Sequence, residues 1–256
     1  MSSYTTFAQY YDELTQNVKY SERAEYFCGL LKSLSHSPGL VLDLACGTGS
    51  LTLQLKQRGL DVYGADASFE MLSIAQQKAA DAEQQILFLC QSMQKLDLYG
   101  TVDTVICALD SINHLTTEKD VLAAFRRVSL FLNPGGYFLF DMNTQYKHRE
   151  VLADHVFVYD TKHVFCVWQN QFEEKTDRVS IDLDFFEKEG AVYHRSSEHF
   201  YEKAYSNDII KELLHTAGLS FVACYDDCSF LPPQPNSERV VIVARKEPTT
   251  ETEKER

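Results

Sequence analysis

Between residues 41 and 66 the chain carries an acid, two closely spaced glycines and a second acid, in the run VLDLACGTGSLT followed by LDVYGAD. Asp43 stands in a short apolar stretch just ahead of Gly47 and Gly49. Glycines there allow positive φ and let a ligand come close to the backbone. A helix beginning near Ser50 would aim free N–H groups and positive partial charge at the same point. A dinucleotide fingerprint wants a glycine three residues past Gly49, where Thr52 stands. A carboxylate at Asp43 would repel a pyrophosphate and attract a cationic amino-acid moiety. Asp66 follows 23 residues later, the distance at which an acid accepts from ribose hydroxyls. Acid, glycine turn and second acid together fit a ligand with a cationic amino-acid end and a ribose, and S-adenosylmethionine is such a ligand. The plainer reading of Asp43 is a cap on the turn.

Such a site needs strands that end, and helices that begin, along one edge of a sheet. The spacing predicts a helix over 20–34, a buried strand at GLVLDLA and a helix from Ser50 to a stop at Gly59. Strand LDVYGADAS, helix FEMLSIAQQKAADAE, strands ILFLCQS and TVDTVICALD, helix EKDVLAAFRRVSLFL and strand YFLFDMN follow, with Asn133-Pro134-Gly135-Gly136 as the break before the last. This alternation describes a parallel sheet covered on both faces. After about residue 150 the rhythm changes. HVFCVWQNQ, RVSIDLDFFE and AVYHRSSEHFYE read as an antiparallel meander, with Val179, Ile181, Leu183 and Phe185 on its buried face. A helix capped by Ser206 and stopped by Gly218, then strands LSFVACYDD and RVVIVARK, return to the first sheet. The expected division is N-terminal lid helices over 1–37, a cofactor-binding core over 38–150, an antiparallel insertion over 151–205 that caps the substrate, the end of the core sheet over 206–246 and a disordered tail over 247–256.

Composition sets outer limits. In 256 residues, 24 basic side chains face 37 acidic ones, a net charge of −13 that disfavours a nucleic-acid backbone as partner. Hydrophobic content of 45% is that of a globular chain, and no apolar run reaches the ~18 residues of a membrane span. The start, MSSYTTFAQY, lacks the features of a secretory signal. Seven scattered cysteines show no zinc-site spacing, so no metal is expected, and they point to a soluble, cytoplasmic protein in a reducing compartment.

VLDLACGTG, VYGADASFEML, QSMQKLDL and LNPGGYFLFD, in this order over about residues 38–142, resemble the class I S-adenosylmethionine-dependent methyltransferases. The resemblance implies a doubly wound, Rossmann-like α/β fold with a mostly parallel seven-stranded sheet and the antiparallel meander inserted. It implies that Asp43 closes the cofactor loop near the methionine end, that Asp66 holds both ribose hydroxyls and that Met71 packs on adenine. Ser92 and Met93 fall where the family has an acid and an apolar residue at the adenine edge, so Ser92 is a departure, a neutral acceptor. Ala45 replaces the family's first glycine. Cys46, Gly47, Ala67, Leu109 and Tyr20 complete the expected cofactor contacts.

A narrower likeness joins FAQYYDEL, CALDSINHL and the inserted meander to small-molecule N-methyltransferases acting on amino sugars or glycine-type amines, and to uncharacterised bacterial relatives. It implies that Tyr11, on a lid helix, contacts the cofactor carboxylate. It also implies that Ser111-Ile112-Asn113-His114 lies beside the transferred methyl group. His114 could accept a proton from an amine, or be a loop histidine bonding backbone. Asp110 could orient the substrate or do nothing. The reading is methyl transfer to a small molecule, at nitrogen, by a monomer or homodimer. The alternatives are an RNA or protein methyltransferase, for which no basic run or N-P-P-Y-like tetrapeptide is present, and an inactive cofactor-binding module. Thr52 and Asp43 disfavour an NAD-dependent oxidoreductase.

Overall fold

The computed structural model describes residues 5–248, so most of the tail expected to be disordered lies outside the described residues. Helices α1 (Thr5–Leu14) and α2 (Tyr20–Ser33) come first. The alternating part then runs β1 (Leu40–Leu44), α3 (Ser50–Gln57), β2 (Asp61–Asp66), α4 (Phe69–Asp81), β3 (Phe88–Cys90), β4 (Val102–Cys107), α5 (Glu118–Phe131) and β5 (Leu132–Asn143). A π-helical turn, Lys147–Leu152, leads into β6 (Val156–Asp160), β7 (Val164–Glu173), β8 (Arg178–Glu189) and β9 (Val192–Lys203). The chain closes with α6 (Asn207–Thr216), β10 (Ser220–Asp226) and β11 (Arg239–Arg245).

Seven strands form one sheet in the order β10-β11-β5-β4-β1-β2-β3. The pairs from β5 to β3 are parallel, while β11 runs antiparallel to β5 and to β10. Strand order reverses between β1 and β4, which opens a crevice beyond their carboxyl ends. Both faces are covered, so the strands need continuous apolar runs. Leu42, Val105 and Phe138 pack on the side of α5 and α6 with Phe125 and Leu214. Their neighbours Val41, Ile106 and Leu139 pack on the side of α2 and α3 with Phe27 and Leu55.

The insertion makes its own four-stranded antiparallel sheet, β6-β7-β8-β9, with no ladder to the first. Val179, Ile181, Leu183 and Phe185 are fully buried, as their alternation requires. They pack against Phe7 and Tyr10 of α1 and Met71 of α4, so α1 is sandwiched between the core and the second sheet. Each such aromatic or aliphatic side chain contributes roughly 1.5–3 kcal/mol on full burial.

Three expectations change. The insertion has a fourth strand, β6, an edge whose run VFVYD is apolar yet half or fully exposed. The third strand shrinks to Phe88–Cys90, because it is the far edge of the sheet and pairs on one side only. The Asn-Pro-Gly-Gly stretch lies within β5 and does not precede it: Leu132 already pairs with Val102, with a register shift before Thr104. Gly136 permits that shift, since a Cβ there would sit 2.7 Å from the Asp103 carbonyl oxygen. No described helix is long and apolar enough to cross a membrane.

Candidate functional site

A cavity of ≈ 330 Å³ opens at the carboxyl ends of β1, β2 and β4, beneath α1. From β1 and the following turn come Asp43, Ala45, Cys46 and Gly47, and from β2 Asp66 with Ala67 just after it. Met71, Ser92, Met93 and Leu109 continue the wall, Tyr11 and Tyr20 close it from the N-terminal helices, and His114 stands at its far side. Asp110 is not brought to the cavity. Its carboxylate pairs with Arg239 at 2.9 Å and accepts from Asn143 Nδ2 at 2.8 Å. Burial raises the Asp110 carboxyl, but Arg239, then Lys147 and His114, outweigh that and hold it well below the usual range.

The glycine turn is built as its sequence demands. Gly47 and Gly49 have φ of 53° and 70°. A Cβ at Gly49 would lie 2.8 Å from the Ala75 Cβ, whereas at Gly47 it would meet nothing within 4 Å, so the backbone there faces open space. The amide of Gly47 donates to Asp66 Oδ2, and that of Ser68 to Oδ1, both at 2.8 Å. Each oxygen keeps a lone pair for a ligand hydroxyl. Burial raises the Asp66 carboxyl, with these two amides opposing. Asp43 is buried and accepts from Thr52 Oγ1 at 2.6 Å, so the residue that breaks the dinucleotide pattern has a partner of its own. Burial lifts the Asp43 carboxyl to about 7, against the Thr52 bond and with help from Asp66. Burial also raises the phenols of Tyr11 and Tyr20, the latter to about 12, and the Cys46 thiol.

Several organising residues carry no local signal. Leu109 and Asp110 both hold left-handed φ, at 59° and 53°, a conformation that costs non-glycine residues and needs enforcing. Asp141, wholly buried on β5, enforces it. Its oxygens accept from the amides of Leu109 (2.9 Å) and Asp110 (2.7 Å) and from the guanidinium groups of Arg23 (3.0 Å) and Arg239 (2.6 Å). Asn113, equally buried, donates to the carbonyls of Asn143 and Lys203 and thereby ties the loop carrying His114 to both sheets. On α1, Asp12 accepts from Thr48 Oγ1 (2.8 Å) and Ser50 Oγ (3.1 Å) and pairs with Lys78. The first amides of α1, Thr6 and Phe7, donate to Glu198 of β9 at 2.8 Å. These pairs bring together residues from 30 to 192 positions apart in the chain, beyond any motif's reach.

Comparison with known proteins accords with this geometry. Residues 41–136 match the methyltransferase domain family. The chain is 33% identical over 247 residues to YqeM of Bacillus subtilis (strain 168), which carries a methyltransferase designation, covering 96% of this chain and 98% of that one. It is 26% identical over 247 residues to a glycine/sarcosine N-methyltransferase of Aphanothece halophytica, covering 94% and 88%. The crystal structure of an S-adenosylmethionine-dependent methyltransferase from Clostridium acetobutylicum ATCC 824 superposes with a TM-score of 0.86 at 32% identity, covering 96% of this chain and all of that one. The chain has kin of the same length and fold: it belongs to the S-adenosylmethionine-dependent methyltransferases, and S-adenosylmethionine is its cofactor.

Proposed function

We propose that this methyltransferase acts on a small molecule, at nitrogen. The observation that carries the reading is the charge of the cavity wall. Asp43, Asp66, two tyrosines, Cys46 and His114 are its ionisable groups, and among the described residues no lysine or arginine lines it. Such a wall favours cationic ligands and disfavours phosphate-bearing ones. Phe7 and Tyr11 of α1 cover part of the cavity, whose ≈ 330 Å³ suits a small molecule. Likeness to a glycine/sarcosine N-methyltransferase supports the same substrate class.

The roles follow from position. Asp66 accepts from the ribose hydroxyls, Asp43 favours the cationic methionine end, Met71, Ser92 and Met93 flank adenine, and Tyr11 reaches the cofactor carboxylate from the lid. Bound S-adenosylmethionine supplies a methyl group already activated by its sulfonium, so the chain's main contribution is alignment of the acceptor. The amine attacks in its neutral form, and His114 at the wall accepts the proton that the nitrogen loses as it is methylated.

A panel of primary amines, amino acids, amino sugars and RNA, assayed for S-adenosylhomocysteine release, tests the reading. Turnover on an amine with an N-methyl product by mass spectrometry is expected, and His114→Gln should lower kcat by roughly 10²–10⁴ with cofactor affinity unchanged. Turnover on RNA alone, or an exclusively O-methylated product, would refute it.

A further inference from the structure

Behind His114 lies a cluster outside the cavity lining. Glu202, near the end of β9, is 4% exposed. Its Oε1 is 3.8 Å from His114 Nε2, and its Oε2 is 3.4 Å from His148 Nε2. Asn143 Nδ2 donates to the same Oε2 at 3.2 Å. His148, on the π-helical turn, is fully buried, and neither of its ring nitrogens has a hydrogen-bond partner. An unsatisfied imidazole in the interior is costly, and the Glu202 carboxylate is the group placed to satisfy it by a small rotation. The approach of Glu202 to His114 is held on both sides. Asn113, next to His114, accepts from the amide of Lys203, next to Glu202, at 2.8 Å, and its Nδ2 donates back to the Lys203 carbonyl at 2.9 Å. The Phe200 ring packs on His114 at 5.2 Å between centroids.

We propose that Glu202 is the positioning residue for His114: its carboxylate fixes the ring at the cavity wall and stabilises the imidazolium formed there, and His148 holds that carboxylate from behind. The inference rests on His114 as the proton acceptor of the reading above. As the amine lone pair forms the new N–C bond, the electron pair of the broken S–C bond stays on sulfur and the amine proton passes to His114. The positive charge that arrived on the cofactor therefore leaves on the imidazole, where an adjacent carboxylate stabilises it most. The same charge is faced by Asp66 from β2 and Asp110 from the His114 loop, while Lys147 faces Glu202 from the π-helical turn. Glu202 differs from these in being carried by the inserted sheet.

The test uses Glu202→Gln in the full chain, saturated with S-adenosylhomocysteine, with histidine ring signals followed by NMR against pH. Removing the carboxylate should lower the titration midpoint of His114 by about one pH unit or more, leaving exposed histidines such as His194 unmoved. On an amine substrate kcat should fall about 10–100-fold with KM and cofactor affinity unchanged, and Glu202→Asp should restore part of it. If Glu202→Gln does not fold, His148→Gln, which leaves the carboxylate in place but unanchored, should lower the midpoint by less in the same direction. An unchanged His114 midpoint in either folded variant overturns the proposal. Full turnover by His114→Gln would instead overturn the proton-acceptor reading, a result that the ring titration, which needs no substrate, keeps separate.

Discussion

Replacing Asp141 by Asn tests whether one buried carboxylate holds the loop of Leu109 and Asp110. The side chain accepts four hydrogen bonds, two per oxygen: Oδ1 from the Asp110 amide and Arg239, Oδ2 from the Leu109 amide and Arg23. Asparagine has nearly the same shape but turns one oxygen into a donor. Two donors, at least one of them a guanidinium, are then left facing an N–H. Each lost bond to a charged group costs about 1.5–3 kcal/mol, and breaking a buried pair from one side typically costs about 3–5 kcal/mol. The expected loss of unfolding free energy is therefore about 3–5 kcal/mol, a large share of the roughly 5–15 kcal/mol of a folded domain. Urea denaturation followed by circular dichroism measures it. Since Leu109 and Asp110 keep left-handed φ only under this constraint, S-adenosylhomocysteine affinity by calorimetry should fall as well. A variant within about 1 kcal/mol of the parent, with unchanged affinity, would show that the flanking arginines and not Asp141 shape the loop.

Two further outcomes are expected. Asp43, raised from 3.8 in the unfolded chain to about 7 in the folded one, binds its proton more tightly in the folded state. Stability should thus be greatest below about pH 4 with respect to this group and decline by up to about 4 kcal/mol as pH rises to about 7; thermal melts from pH 4 to 8 should show this component of the slope vanish in Asp43→Asn. Asp12→Asn should lose the ion pair with Lys78 that pins the lid, and because both side chains are partly solvated the change is only about 1 kcal/mol, or roughly a fivefold faster release of S-adenosylhomocysteine in stopped-flow fluorescence. An unaltered release rate would mean that Glu198 and the apolar face of α1 hold the lid without Asp12.

The alternating half of the fold was legible because its signals are local. Gly59 ends α3 and Gly218 ends α6 at positive φ, and the Ser206 side chain caps α6 by accepting from the Ile209 amide. The expected cofactor residues from Asp43 to Leu109 reach one cavity because they follow successive strands of one parallel sheet, whose carboxyl ends must coincide. Asp110 stays off the cavity wall for a physical reason: sequence places it next to Leu109, but its direction depends on Arg239, 129 positions onward. Glu202 in EHFYEK and His148 in YKHRE read as surface charge until β9 and the π-helical turn fold over the loop of His114. Strand β6 escaped notice although VFVYD has the β-branched and aromatic residues of a strand, because it shows no apolar–polar alternation.

The second sheet shares no backbone ladder with the first, so in principle it could drift in sequence without disturbing the cofactor grip. Its join to the core is nevertheless not arbitrary. Asn113 and Lys203 are stitched together, Arg178 donates to the Thr116 carbonyl, and Glu202 and Glu198 reach His114 and the lid. An ancestral chain could therefore have altered the outer face of the insertion freely, whereas its inner face is bound by packing on Phe7 and Tyr10 of α1. Exchanging the insertion between relatives should preserve the setting of His114 only when its last strand brings the matching glutamates with it, and a recombination boundary drawn inside β9 would part Glu198 and Glu202 from the strands they stitch to the core.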